Sequence, residues 1–225
     1  MQEFVLDNAS TAYRQTRQEL LAAEVALKQQ RERVASLRRQ LPTDTVTQDY
    51  TFTEIAAPIG QSGERHSVRL SDLFIDPDKP LMVIHYMWNP VDAGPCPMCT
   101  MWADTYNGAA PHLAQNANVV CIVKQEIEIF RAFADARGWG NLRLLSSGGS
   151  TFNHDLGMEN ENGNQFPGLS VFTRNDAGEV RHFYSTTAMI GEDRSRGLDL
   201  YTPVWPLLDL LPDGRGDWFP SVDYG

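Results

Sequence analysis

The first forty residues carry a helical pattern of apolar positions. Residues Asp7–Leu41 contain no glycine or proline, and Pro42 ends the run. Apolar side chains recur every seven residues, at Leu6, Tyr13, Leu20, Leu27, Val34 and Leu41. Thr16 and Gln30 interrupt the apolar stripe between these positions. We predict one long helix, whose stripe either lies across its own domain or pairs with a second subunit in a homodimer.

Beyond this helix, short apolar strands alternate with helices. A predicted hairpin, Tyr50–Ile55 with His66–Leu70, precedes the strand Leu81–Trp88. The later predicted elements are a helix to about Leu113, the strand Val119–Lys124, the helix Glu126–Arg137, the strand Leu142–Ser146, a turn near Thr151–Leu156, the strands Gly168–Thr173 and Glu179–Ser185, and a helix over Leu198–Leu211. This order predicts an α/β domain over residues 43–225 with a mixed sheet covered on both faces, preceded by a helical arm over residues 1–42.

The candidate chemistry lies at Cys96-Pro97-Met98-Cys99, where the strand Leu81–Trp88 gives way to a helix. Unpaired N–H groups at a helix N-terminus stabilise a thiolate, and the first helical turn brings the second sulfur within disulfide reach. The motif therefore predicts a redox-active pair. Cys96, nearer the exposed end of the helix, is the predicted nucleophile, and Cys99 is the predicted resolving thiol.

A zinc site is the alternative interpretation of this motif. Zinc needs two further thiolate or imidazole ligands, and the chain offers Cys121 and five scattered histidines. Cys121 lies in the apolar run Asn118–Val123, which is typical of a buried strand. We therefore predict no metal and no cofactor, and we predict that Cys121 is a core side chain.

Composition narrows the classes of partner. The 225 residues are 42% hydrophobic and carry a formal net charge of −10. Residues 1–41 contain seven Lys or Arg and five Asp or Glu. The rest of the chain contains twelve Lys or Arg and 24 Asp or Glu, so it is strongly acidic. An acidic body repels phosphate backbones and anionic lipid, so nucleic acid and membranes are not expected partners. No signal-like or membrane-spanning apolar stretch is present in the sequence, which predicts a cytoplasmic protein.

The order of elements resembles the thioredoxin fold, in the elaborated form of the AhpC/TlpA-like branch. This likeness covers about residues 46–185 and includes Leu70–Phe74 and Asn153–Gly157. The whole chain resembles the bacterial thioredoxin-like family DUF899 more closely, through the long helix, the Cys-Pro-x-Cys, and the segments Trp102–Asp104, Pro167–Phe172 and Asp199–Trp205. The resemblance implies the fold but supplies no substrate, because this family has no assigned role.

Substrate-binding residues follow in part from that resemblance. Pro167 matches the cis-proline of thioredoxin-like proteins, which faces the cysteine pair and presents backbone to incoming disulfides. Trp88 and Trp102 flank the motif, so they are predicted to wall a substrate cleft together with Pro97 and Met98, although plain core packing explains both tryptophans equally well.

The predicted activity is thiol–disulfide exchange with a protein or small-molecule thiol or disulfide. Peroxiredoxins place Thr or Ser three residues before the peroxidatic cysteine, and here Ala93 precedes Cys96 at that spacing. The sequence therefore disfavours peroxidase chemistry. The alternative is a non-enzymatic thioredoxin-like protein that acts as a scaffold, binding module or redox sensor.

Overall fold

A computed structural model describes residues 5–43, 45, 47–190 and 201–224 of the chain. The chain divides into two units, Met1–Pro42 and Thr43–Gly225. The first unit contains the helix and the second contains the sheet.

The N-terminal unit is built on one helix, α1, which spans Thr11–Arg38. It begins four residues later than predicted, because the Ser10 hydroxyl accepts a hydrogen bond from the Tyr13 amide and caps the helix there. No residue of α1 is buried. Its heptad side chains Leu20 and Leu27 are half exposed, at 50% and 56%.

The second unit contains a seven-stranded mixed sheet, which confirms the predicted fold class. The strands are β1 (Thr51–Ile55), β2 (Arg65–Arg69), β3 (Leu81–Tyr86), β4 (Asn118–Val123), β5 (Arg143–Ser146), β6 (Gly168–Arg174) and β7 (Val180–Thr187). Their order across the sheet is β2-β1-β5-β4-β3-β6-β7. The three middle strands β5, β4 and β3 are parallel, and the pairings outside them are antiparallel.

Helices connect and cover these strands. They are α2 (Pro97–Leu113), α3 (Ile127–Ala136), α4 (Phe152–Asp155) and α5 (Val204–Leu208), with a single 3-10 turn at Leu70–Leu73. The helix predicted over Leu198–Leu211 is wrong in length. Its first three residues lie outside the described part of the chain, and α5 begins only after Pro203, which occupies the N-cap position. Across the described residues, none of the helices combines the length and apolar composition needed to cross a membrane.

Side chains on the two faces of the sheet form two separate cores. Ile84 and Tyr86 of β3 point into a core that contains residues of α2, α3 and α5. Leu81 and Val83 of the same strand point into the other core, which contains residues of the 3-10 turn and α4. Cys121 is completely buried in the first core, as predicted, and burial raises the pKa of its thiol. The cysteine motif lies at the β3–α2 connection, on the same side of the sheet as this first core.

The apolar stripe of α1 generates the first test. We propose that it holds a homodimer together, so Leu20→Glu with Leu27→Glu should give a monomer, because two charges would be placed in the seam. Light scattering at tens of micromolar measures the change. Gln15→Glu with Gln29→Glu is the matched control, since these residues lie about 200° around the helix from the stripe. A wild-type chain that is already monomeric would contradict the proposal.

Candidate functional site

Cys96 is the N-cap residue of α2. Its backbone is extended (φ −65°, ψ 122°), and its sulfur accepts a hydrogen bond from the Cys99 amide at 3.5 Å. Pro97 follows in the first turn, where a missing N–H costs no helical hydrogen bond. The sulfur thus occupies the place that an oxygen of Ser, Thr or Asp usually takes at a helix start. A negative charge on it lies at the positive end of the helix dipole.

The two thiols of the motif have opposite pKa shifts. The Cys99 thiol donates a hydrogen bond to the Cys96 sulfur, and this bond, helped by the Met98 and Cys99 amides, lowers the pKa of Cys96 to about 7. Burial, together with the neighbouring Cys96 sulfur, raises the pKa of Cys99 well above its ordinary value. Cys99 is 1% exposed, whereas Cys96 is partly exposed, and both thiols are free. Cys96 is therefore the thiol that ionises near neutral pH and that solvent reaches.

A buried hydroxyl pair fixes the first turn of α2 to the sheet. The Thr100 hydroxyl donates to the Cys96 carbonyl at 2.9 Å, and the Tyr86 hydroxyl lies 2.6 Å from the same Thr100 oxygen. Since the Thr100 proton is engaged with Cys96, Tyr86 is the donor in the second bond. These two residues position Cys96 through its backbone carbonyl, and the sequence alone did not single them out.

The loop before the motif is held by hydrogen bonds of its own. The Asp92 carboxylate accepts the Asn89 amide at 2.7 Å, which makes it a turn-forming residue. At the start of the loop, the Trp88 amide donates to the Gln165 side chain at 3.0 Å. Asp92 also opposes ionisation of Cys96 through its negative charge, so its effect is to raise the pKa of that thiol. Within the described part of the chain, no three or more His, Cys, Asp or Glu side chains are grouped as metal ligands.

A cavity of about 550 Å³ opens beside Cys96. Its lining is mostly apolar, with two charged side chains, and comes from six separate parts of the chain. The lining residues are Met87, Cys96, Met98, Pro167, Ala188, Met189, Trp205, Arg215, Gly216, Asp217, Trp218 and Phe219. Cys96, the thiol whose pKa is lowered to about 7, therefore borders this cavity.

The two tryptophans predicted to wall the cleft lie elsewhere. Trp88 is 8% exposed and packs edge-on against Phe133, and Trp102 is fully buried. Trp88 lies just beyond the end of β3 and Trp102 on the inward face of α2, so both side chains are in the core although they lie close to the motif in sequence. The aromatic walls of the cavity come instead from Trp205 and Trp218. Met98 lines the cavity as predicted, whereas Pro97, its neighbour in the first turn of α2, is not among the lining residues.

Pro167 lines the same cavity as Cys96, but the predicted cis peptide bond is wrong. The Phe166–Pro167 bond is trans. The Pro167 carbonyl accepts hydrogen bonds from the Ala188 amide at 3.0 Å and the Thr187 hydroxyl at 2.9 Å. These bonds extend the pairing of β6 with β7 to Pro167, so an ordinary extended trans conformation satisfies the backbone.

The C-terminal residues that line the cavity are anchored to the body by an ionic cluster. Arg137 pairs with Asp104 of α2 at 2.6 Å and donates to the Val222 carbonyl at 2.9 Å. Asp104 also accepts hydrogen bonds from the Trp139 indole and the Tyr224 hydroxyl, each at 2.7 Å. Hydrogen bonds from these partners, Arg137 first, hold the pKa of Asp104 below its ordinary value against the effect of burial. The wall of the cavity is therefore fixed by contacts that span most of the domain.

Comparison with protein families identifies the chain. A family described as "Bacterial protein of unknown function (DUF899)" matches residues 5–224. The chain therefore belongs to the DUF899 family, as its sequence motifs predicted. No curated protein is significantly similar to it.

Solved structures with a similar fold include peroxiredoxins. The 1-Cys peroxiredoxin antioxidant protein of Plasmodium falciparum is 13% identical with a TM-score of 0.50, covering 65% of this chain and 84% of that chain. The peroxidoxin BcpB of Mycobacterium tuberculosis is 20% identical with a TM-score of 0.45, covering 71% of this chain and 94% of that chain. At 13% identity the first likeness shows a thioredoxin-like fold and carries no information on activity.

The hydrogen bond between the two thiols generates a prediction on pH. Alkylation of Cys96 by iodoacetamide should rise with a midpoint near pH 7, because the thiolate is the reactive form. Cys99→Ala removes the donor to that thiolate, so the midpoint should move to higher pH. Cys99→Ser keeps a hydroxyl donor and should restore part of the shift. Rates followed by mass spectrometry provide the measurement, with Cys121→Ala as the control. An unchanged midpoint in Cys99→Ala would contradict the assigned cause.

Proposed function

We propose that this DUF899 protein is a thiol–disulfide oxidoreductase in which Cys96 is the attacking thiolate and Cys99 the resolving thiol. The observation that carries the proposal is the asymmetry of the pair: the partly exposed Cys96 has its pKa lowered to about 7, whereas the buried Cys99 has its pKa raised. Protein disulfides and small-molecule disulfides are both substrates compatible with this chemistry.

The reaction consists of two exchanges. The Cys96 thiolate attacks one sulfur of a substrate disulfide RS–SR, so that a Cys96–SR bond forms and one RS⁻ leaves. Cys99 then attacks the Cys96 sulfur, which forms the Cys96–Cys99 bond and releases the second RS⁻, and the proton of Cys99 leaves with a released thiolate. The substrate gains two electrons and the cysteine pair loses them. A dithiol reductant returns the pair to its starting state.

The position of each thiol fits its step. Cys96 borders the cavity, so an incoming disulfide meets it first. Cys99 is buried below it and already in hydrogen-bond contact with the Cys96 sulfur. Once Cys96 is bonded to the substrate, it no longer carries the negative charge that opposes ionisation of Cys99. The second attack is thereby favoured only after the first has occurred.

A redox sensor would use the same pair without turnover. It would form the Cys96–Cys99 disulfide under oxidation and be reduced slowly, whereas an oxidoreductase cycles many times with one equivalent of protein. Steady-state turnover of a disulfide with a dithiol reductant therefore separates the two functions.

Variants of the three cysteines test the proposal. Cys96→Ser should lower disulfide reduction on the order of a thousandfold or more, because a serine hydroxyl is not ionised near neutral pH. Cys99→Ser should accumulate the Cys96–SR mixed disulfide, detectable by mass spectrometry. Cys121→Ser is the matched control, since Cys121 lies buried in the core. Equal activity of wild type and Cys96→Ser would contradict the proposal.

A further inference from the structure

One wall of the cavity beside Cys96 is formed by the C-terminal segment, defined as residues 215–224. Trp218 and Phe219 of this segment line the cavity together with Cys96. Farther along the segment, Tyr224 donates a hydrogen bond to Asp104 of α2. At the start of the segment, the Arg215 guanidinium lies over the ring of Trp205 in α5, 5.2 Å from its centroid, and both residues line the cavity. The wall is thus tied to the body on both sides, so a substrate has to fit between it and Cys96.

An added peptide strand has no free backbone group to pair with at Pro167, the lining residue that immediately precedes β6. An extended peptide adds to a sheet through free backbone N–H and C=O groups. Proline has no N–H, and both lone pairs of the Pro167 carbonyl are engaged, by the Ala188 amide and by the Thr187 hydroxyl. A disulfide presented on an extended protein segment therefore gains no backbone hydrogen bond there.

Resting on the proposed function, we propose that the substrate is a low-molecular-weight disulfide with an aromatic or branched aliphatic body, and not a disulfide held in a folded protein. A volume of about 550 Å³ lies within the range of roughly 300–1,000 Å³ that small-molecule sites occupy. Met98, Met189 and Trp218 offer polarisable and aromatic surface that favours an apolar group. Arg215 and Asp217 are the charged residues of the lining, and the Arg215 guanidinium lies over the Trp205 ring, 5.2 Å from its centroid.

A disulfide bound in this cavity would react with Cys96 and Cys99 by the two exchanges described above. The apolar body is buried against the indole of Trp218, which is 45% exposed, and one sulfur of the disulfide faces Cys96. Attack forms the Cys96–SR bond and expels RS⁻, and attack by Cys99 expels the second RS⁻. The same two electrons pass from the cysteine pair to the substrate. Burial of the body raises the rate by holding the reacting sulfurs together.

The test compares three disulfides: dithiodipyridine, bis(hydroxyethyl) disulfide and the disulfides of insulin. Each rate constant is divided by that of the same disulfide with free cysteine, which removes differences in leaving group. In the full chain, Trp218→Ala should lower the normalised rate for dithiodipyridine about tenfold, through loss of the apolar contact, and change that for bis(hydroxyethyl) disulfide less than about twofold. Trp218→Phe should keep most of the rate.

Leu210→Ala is the matched control, because Leu210 is an exposed side chain near the segment that does not line the cavity. It should leave all three rates unchanged. The substrate assignment would be overturned if insulin reacted as fast as dithiodipyridine after normalisation, or if Trp218→Ala did not change the rate with dithiodipyridine. In either case, exchange that still depends on Cys96 would support the proposed function. Absence of Cys96-dependent reaction with all three disulfides would overturn both.

Discussion

The rest of the site depends on one hydrogen bond at the start of α2, in which the Cys99 amide donates to the Cys96 sulfur. A helix leaves its first N–H groups without partners, and Cys96 meets this need by accepting the Cys99 amide. The same bond fixes the sulfur at the edge of the cavity and places its charge at the positive helix end. The Tyr86–Thr100 pair then secures the Cys96 carbonyl from below. The capping of α2, the orientation of the Cys96 sulfur and the lowered pKa of its thiol thus have one structural origin.

Local patterns were enough to predict the scaffold. Alternating apolar positions gave the β1–β2 hairpin and the middle strands to within about two residues, because each strand is buried on a face that its own sequence specifies. The cysteine motif was placed correctly at the start of a helix, because the apolar strand pattern ends before it and a helical pattern follows it. The boundaries of α1 and α5 were less accurate. Ser10 and Pro203 set those boundaries, and their capping roles depend on side-chain or backbone geometry that periodicity does not report.

The walls of the cavity were predicted only in part: Met98 and Pro167 line it, whereas its aromatic side chains come from residues distant in sequence from the cysteine motif. Trp88 and Trp102 border the motif along the chain, yet sheet and helix geometry directs both into the core. Trp218 is more than one hundred residues from Cys96 and lines the cavity with it. The anchor that fixes this wall, Asp104 with Tyr224, spans a similar distance. Only the folded topology brings such residues together, and a single sequence carries no signal for it.

The different behaviour of the two thiols follows from the direction in which α2 enters the domain. Cys99 lies three residues farther along the helix, about 4.5 Å deeper at 1.5 Å per residue. That distance is enough to move it from the cavity edge into the core, where burial raises the pKa of its thiol and turns it into a donor to Cys96. Because the helix N-terminus faces the cavity, the dipole stabilises charge on the exposed thiol and the core disfavours charge on the buried one. The β3–α2 connection itself therefore makes the two thiols different, and the proposed order of attack follows from that difference.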